Sequence, residues 1–166
     1  MKNLKKLNVR FSSEQDGEYL SKWFAEPGIL RWFPCQEPKE VDDTVNMLTG
    51  FSRWKCALTA EYDQVPVGFA ALFLHAYKKI AHQCIFGMIV DKDYRNMGIG
   101  TQLLLHIFEL AKKNFNLETL YLEVFEENPA ISLYRRMGFK EVGYQKHWLK
   151  EDDGRYRSKI TMERHL

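Results

Sequence analysis

The segment VDKDYRNMGIGTQLLLHIFELAKKN, Val90 to Asn114, leads from the end of an apolar, strand-like stretch through two closely spaced glycines into a helical pattern. Leu103, Leu104, Ile107, Leu110 and Ala111 recur on one helical face, while Gln102, Glu109, Lys112 and Lys113 fall elsewhere, so the helix is expected to pack on a sheet. A strand that turns into an amphipathic helix through Gly-x-Gly commits the chain to a layered fold of sheet and helices. It also puts a helix start, with Gly98 and Gly100, where no side chain stands. The glycines either make a tight strand-to-helix turn or keep a space clear.

The rest of the chain supplies the other elements. LNVRFS, Leu7 to Ser12, reads as a strand, and SSEQDGEYLSKWF as a Ser-capped helix with Tyr19, Leu20, Trp23 and Phe24 at helical spacing. Three prolines and a glycine in AEPGILRWFPCQEP predict a broken, turn-rich connection. Val41, Val45, Leu48 and Phe51 then mark a second helix ending near Gly50. WKCALTAEYDQVPVGFAALFLHAY reads as two strands joined by a tight turn at Asp63-Gln64, and AHQCIFGMIV as a third, together an antiparallel meander. After the glycine turn and its helix, LETLYLEVF is a strand that reads as buried on both faces. NPAISLYRRMG has Asn at N-cap, Pro at N1 and Gly at C′. Two further strands are expected near FKEVGYQKHW and RYRSKITMERHL. The expectation is one α+β domain, residues 1–166, built on a mixed, mostly antiparallel central sheet flanked by helices.

Composition narrows the classes. With 45% apolar residues, eleven Phe, eight Tyr and four Trp in 166 residues, the chain can build a sizeable core. A net charge of +2 without long like-charged blocks speaks against a dedicated nucleic-acid or anionic-membrane binder. MKNLKKLNVRFSSEQ has the lysines of a leader without its apolar core, and the longest apolar run, near Phe69 to Leu74, is too short to span a bilayer, so a cytoplasmic protein is expected. Cys35, Cys56 and Cys84 are odd in number and lack metal-ligand spacing, which predicts reduced thiols and no metal site.

A helix N-terminus presents free N–H groups and the positive end of a dipole, and so suits a phosphate or pyrophosphate. Arg95 adds charge nearby. A dinucleotide fingerprint would need a third Gly where Leu103 stands, and a Walker loop needs Gly-Lys-Ser/Thr where Gly100 is followed by Thr101 and Gln102; neither pattern is met. V-x-x-x-x-R-x-x-G-x-G, Val90 to Gly100, resembles instead the Q/R-x-x-G-x-G/A loop of the GNAT superfamily of acetyl-CoA-dependent N-acetyltransferases. LYLEVFEENPAISLYRRMGF, Leu120 to Phe139, resembles that superfamily's following strand, its Asn-Pro-capped helix, its Tyr and its Gly-Phe exit. DGRYRSKITM resembles the last strand of many members. The chain departs from the pattern in having Asn96 where many members have Gly, no Pro at Lys92 or Asp93, and Ser158 where many relatives carry Asp.

The resemblance implies a GNAT-like acyl-CoA N-acyltransferase fold and acetyl transfer from acetyl-CoA, as cosubstrate, to a primary amine of a small molecule or peptide. It implies that the backbone of Met88, Ile89 and Val90 pairs with the pantetheine arm where a bulge splays the strand. The amides of Arg95, Asn96, Met97, Gly98, Ile99, Gly100 and Thr101 would hold the pyrophosphate. Asn128 and Arg136 would contact the cofactor, and Tyr134 would contact it and protonate the departing thiolate. Glu123, in a pattern resembling members that acetylate ribosomal-protein N-termini, is either the group that helps deprotonate the amine or the partner of an Arg on a neighbouring strand. His82, at the start of the strand entering the site, is either a second base candidate or a strand-end histidine. Trp32 and Phe33, with Glu151, Asp152 and Asp153, are candidate acceptor walls for a cationic amine. An acyl-CoA-binding regulatory module without catalysis and a nucleotide-binding module stand as alternatives, and a second copy of the chain stays open as a partner.

Overall fold

The computed structural model describes residues 6–166; the first five residues of the lysine-bearing start lie outside them. Seven strands make one sheet in the order β1-β2-β3-β4-β5-β7-β6: β1 Leu7–Phe11, β2 Ala57–Tyr62, β3 Val65–Leu74, β4 Gln83–Val90, β5 Thr119–Phe125, β6 Lys140–Lys150 and β7 Tyr156–His165. Every neighbouring pair is antiparallel except β4 and β5. The β2–β3 turn falls at Asp63 and Gln64, whose φ angles of 54° and 67° match the twist a two-residue hairpin requires.

The helices are α1 Gly17–Phe24, α2 Pro27–Leu30, α3 Pro38–Gly50, α4 Ile99–Phe115 and α5 Ile131–Arg136. Alternation along the strands divides the core. Leu58, Ala70, Leu72, Cys84, Phe86, Leu120 and Leu122 bury one face against Ile99, Leu103, Leu104 and Ile107 of α4 and Ile131 and Tyr134 of α5. Ala57, Phe69, Ala71 and Ile89 bury the other face against Leu20, Trp23, Phe24, Val45 and Leu48 of α1 and α3. The first helices therefore cover the sheet only as far as β4. β5 is consequently not buried on both faces, as LYLEVF suggests: Leu122 and Val124 face the core, while Glu123 between them is exposed.

Two local details also differ from expectation. The proline-rich connection contains a single helical turn, α2, because Pro27 occupies its first position. α5 begins at Ile131, yet the Asn128 side chain still accepts the Ala130 N–H at 2.9 Å, the bond a capping Asn makes two residues ahead. At its other end Gly138 has φ 89°, and the Gly138 and Phe139 amides donate to the carbonyls of Arg135 and Tyr134, a Schellman closure. Near the start, Asp16 is 4% exposed and accepts from the Arg10 guanidinium, the Ser13 amide and the Thr59 hydroxyl. It ties β1, β2 and the entry to α1 together.

Candidate active site

β4 and β5 are paired only from Gln83 to Ile85 opposite Thr119 to Tyr121. Beyond Ile85 the strands part, so Phe86 to Val90 have β3 on one side and no strand on the other. The β3–β4 register runs unbroken from Cys84 to Val90, so the parting comes from divergence of β5 with no bulge in that ladder, contrary to expectation. A cleft of about 390 Å³ fills the gap. Met88, Ile89, Val90, Arg95, Asn96, Gly98, Ile99, Gly100, Thr101, Glu123, Asn128, Tyr134 and Arg136 all line it. Of the residues singled out for cofactor contact, Met97 does not line it, and its side chain packs against the core under α4.

The start of α4 closes one end. Gly98 is its N-cap with φ 86°, a conformation in which a Cβ is strained, and no side chain caps the helix, so its first amides are free to face the cleft. At Gly100 a Cβ would stand 3.0 Å from Leu133 Cδ2, so this glycine also lets α5 approach α4. Asn96 takes φ 60°, the left-handed conformation that Asn tolerates better than most residues, and so stands in for the Gly of many GNAT members. Before it, Asp91 accepts the Asp93 amide at 3.0 Å through one carboxylate oxygen and the Trp23 indole N–H at 3.0 Å through the other. Lys92 pairs with Glu26 at 2.6 Å. These two links fasten the glycine loop to α1 and its exit. The Asp-x-Asp after an apolar strand is a turn signal that points to the Asp91 cap; its reach to Trp23 is a long-range contact with no local signature.

Tyr134, part of the cleft lining, is 8% exposed, with its ring edge-on to Phe86 and Phe139. Burial pushes its phenol up to about 12, which keeps the proton on oxygen at any ordinary pH. Glu123, on β5, also lines the cleft and pairs through Oε1 with Lys159 Nζ at 2.7 Å. Its neighbouring-strand partner is therefore a lysine on β7, not an arginine. Lys159 is 12% exposed and also rests 4.6 Å from the centre of the Trp148 ring. His82 stands just before β4, exposed, at the end away from the cleft, where its carbonyl accepts the Glu118 and Thr119 amides. That position removes it as a base, because Gln83 to Ile85 separate it from the part of β4 that opens.

Ile29, Trp32 and Phe33, from α2 and the segment after it, line the acceptor end of the cleft. The acids expected to join them are already engaged: Glu151 with Arg157, Asp152 with the Gln36 side chain, and Asp153 with Arg155. Asp152 keeps its charge, since the Gln36 amide is neutral, but none of the three lines the cleft. Arg157, not anticipated from sequence, underlies this end with its guanidinium 3.8 Å from the centre of the Phe125 ring. Every second residue of β7 points to the same face as Glu123, and that register is what brings Lys159 and Arg157 here. Cys35, Cys56 and Cys84 are free thiols. Among the described residues no three His, Cys, Asp or Glu side chains meet as a metal site would need, and no helix is long and apolar enough to cross a membrane.

Residues 18–139 match the model of the acetyltransferase (GNAT) family. An N-alpha-acetyltransferase of Sulfurisphaera tokodaii is 40% identical over 73 residues, 43% of this chain and 44% of that one, so the match spans less than half of that relative. Among solved structures, the ribosomal-protein-alanine N-acetyltransferase of Brucella melitensis superposes with a TM-score of 0.80 at 24% identity, covering 96% of this chain and 99% of that one. The protein yncA of Salmonella typhimurium, solved with its cofactor acetyl-CoA, gives 0.81 at 16% identity, covering 97% and 94%. Both share the seven-stranded, helix-flanked fold.

Proposed function

The chain belongs to the acetyltransferase (GNAT) family, and from that premise we propose that it transfers acetyl from acetyl-CoA directly to a primary amine of a small molecule or peptide. The observation that carries the reading is that one cleft gathers an unpaired strand edge, an uncapped helix N-terminus and a buried phenol. Residues 1–166 act on this reading as a single catalytic domain in the cytoplasm.

The residues present fit the cosubstrate. The free edge at Met88, Ile89 and Val90 offers strand-like hydrogen bonds to an amide-bearing arm, and the first amides of α4, Ile99 to Thr101, stand where a pyrophosphate would lie. Exposed Arg95 and Arg136 flank it with positive charge. Acetyl-CoA, when bound, supplies a thioester whose carbonyl carbon is open to an amine and whose sulfur departs as a thiolate. Tyr134, neutral because it is buried, is the general acid for that sulfur. Glu123 takes the amine's proton through a water on its second oxygen, while Lys159 holds the first. The names of the relatives, which act on α-amines and on a ribosomal-protein alanine, favour a peptide N-terminus as the acceptor.

The test is direct. Acetyl-CoA should raise the melting temperature where ATP and NAD do not, and a panel of primary amines should show amine-dependent release of CoA thiol. Stabilisation without release for any amine would leave a binding module in place of an enzyme.

A further inference from the structure

The wall at the acceptor end is held by one buried cation. Arg157, with a side chain 13% exposed, donates from Nη1 to the Arg31 carbonyl at 2.7 Å and to Glu151 at 3.3 Å, and from Nη2 to Glu127 at 3.4 Å. The same guanidinium lies 5.2 Å from the centre of the Trp32 ring, and that of Arg31 lies 4.6 Å from it. Four separate pieces of chain therefore meet on Arg157: the segment after α2, the loop after β5, the β6–β7 turn and β7 itself. A planar fork of five donors can do this where the point charge of a lysine cannot.

This arrangement has a consequence for what can enter. An aromatic ring near a cleft can attract an incoming ammonium, but Trp32 already has two guanidinium groups within range of its ring. A second cation on the acceptor would meet like charge, and none of Glu151, Asp152 and Asp153 lines the cleft to answer it. Ile29 and Phe33 complete a surface that is otherwise apolar, and Glu123 stands as the carboxylate lining the cleft for the reacting amine. Resting on the acetyltransferase reading, we infer that the acceptor is an amine carrying an apolar group beside the amino carbon and no second cation, and that Arg157 is the positioning residue that fixes the wall selecting it.

The experiment compares three acceptors by CoA release at saturating acetyl-CoA: a tetrapeptide beginning with Leu, the same peptide beginning with Lys, and spermidine. The Leu-led peptide should exceed the Lys-led one in kcat/KM by about tenfold or more, the scale on which apolar pockets discriminate, and spermidine should show no saturable turnover. Trp32→Ala should shrink the Leu-over-Lys ratio. Arg157→Lys should raise the KM for the Leu-led peptide with the KM for acetyl-CoA unchanged, a split that a general loss of stability does not produce. Equal or better turnover of the Lys-led peptide or of spermidine overturns the acceptor assignment alone. A KM for acetyl-CoA that rises together with that for the peptide in Arg157→Lys overturns the positioning role. CoA release with none of the three, nor with any other amine, overturns the acetyltransferase reading and the acceptor assignment with it.

Discussion

Tyr134, the proposed general acid, shows how surroundings set the proton affinity of a single side chain. Packed against Phe86 and Phe139, it ionises only near 12, so it keeps a transferable proton where a surface tyrosine would begin to lose it near 10. Tyr134→Phe is expected to lower kcat by about tenfold to a thousandfold with little change in the KM for acetyl-CoA, since the ring and its packing remain and only the proton is removed. A lowered melting temperature with unchanged turnover would make it a structural tyrosine. Asp16 illustrates the opposite sign. Burial pushes its carboxyl up, but hydrogen bonds from Arg10, Ser13 and Thr59 outweigh this and hold it below the usual carboxylate range. The stability it contributes is thus complete above the unfolded value near 4 and is lost as pH falls through the lower folded value. Asp16→Ala should cost about 2 to 3 kcal/mol at neutral pH, discounted from a fully buried pair because Arg10 is a third exposed, and should flatten the acid limb of a denaturant-midpoint profile. A profile that keeps its shape would mean that other carboxylates govern acid unfolding.

At the scale of elements, the glycine turn proved to answer two demands that look alike in sequence. Gly98 is required by its backbone conformation and Gly100 by the approach of α5, in addition to any space a ligand needs. The two demands at Gly100 separate in a double-mutant cycle. Gly100→Ala alone should destabilise the protein and weaken acetyl-CoA binding; placed in a Leu133→Ala background, its stability cost should shrink while the binding defect remains. Recovery of binding together with stability would assign that glycine to helix packing alone. The strands, the amphipathic α4 and the hairpin turn at Asp63-Gln64 were legible because each rests on local periodicity or on turn chemistry. The glycine loop, Asn128, Tyr134 and Glu123 were legible as motif positions, and they do share one cleft. Lys159, Arg157 and the Trp23–Asp91 link were not, because each depends on strand register or on contacts between residues far apart in the chain. His82 stands as the strand-end histidine of its other reading, beside the paired start of β4.

For the molecule as a whole, Trp23–Asp91 and Glu26–Lys92 join the glycine loop to the helices that carry the acceptor wall. Acetyl-CoA should therefore slow hydrogen exchange not only at residues 95–101 but also through α1 and α2, and Asp91→Ala combined with Lys92→Ala, which cuts both links, should confine the protection to the loop. Protection that spreads equally in both proteins would show that the links transmit nothing. The parting of β4 from β5 reaches further still. With only three residue pairs between them, the sheet is in effect two panels, β1 to β4 and β5 to β7, sharing a short seam. On the proposed reading, an arm laid along the free edge of β4 and gripped by α5 would be a stitch across that seam, making the substrate for a time part of the frame. Each turnover removes the stitch. The protein between catalytic cycles should then be the one in which the panels exchange hydrogens at separate rates, and the one a protease opens first along the seam.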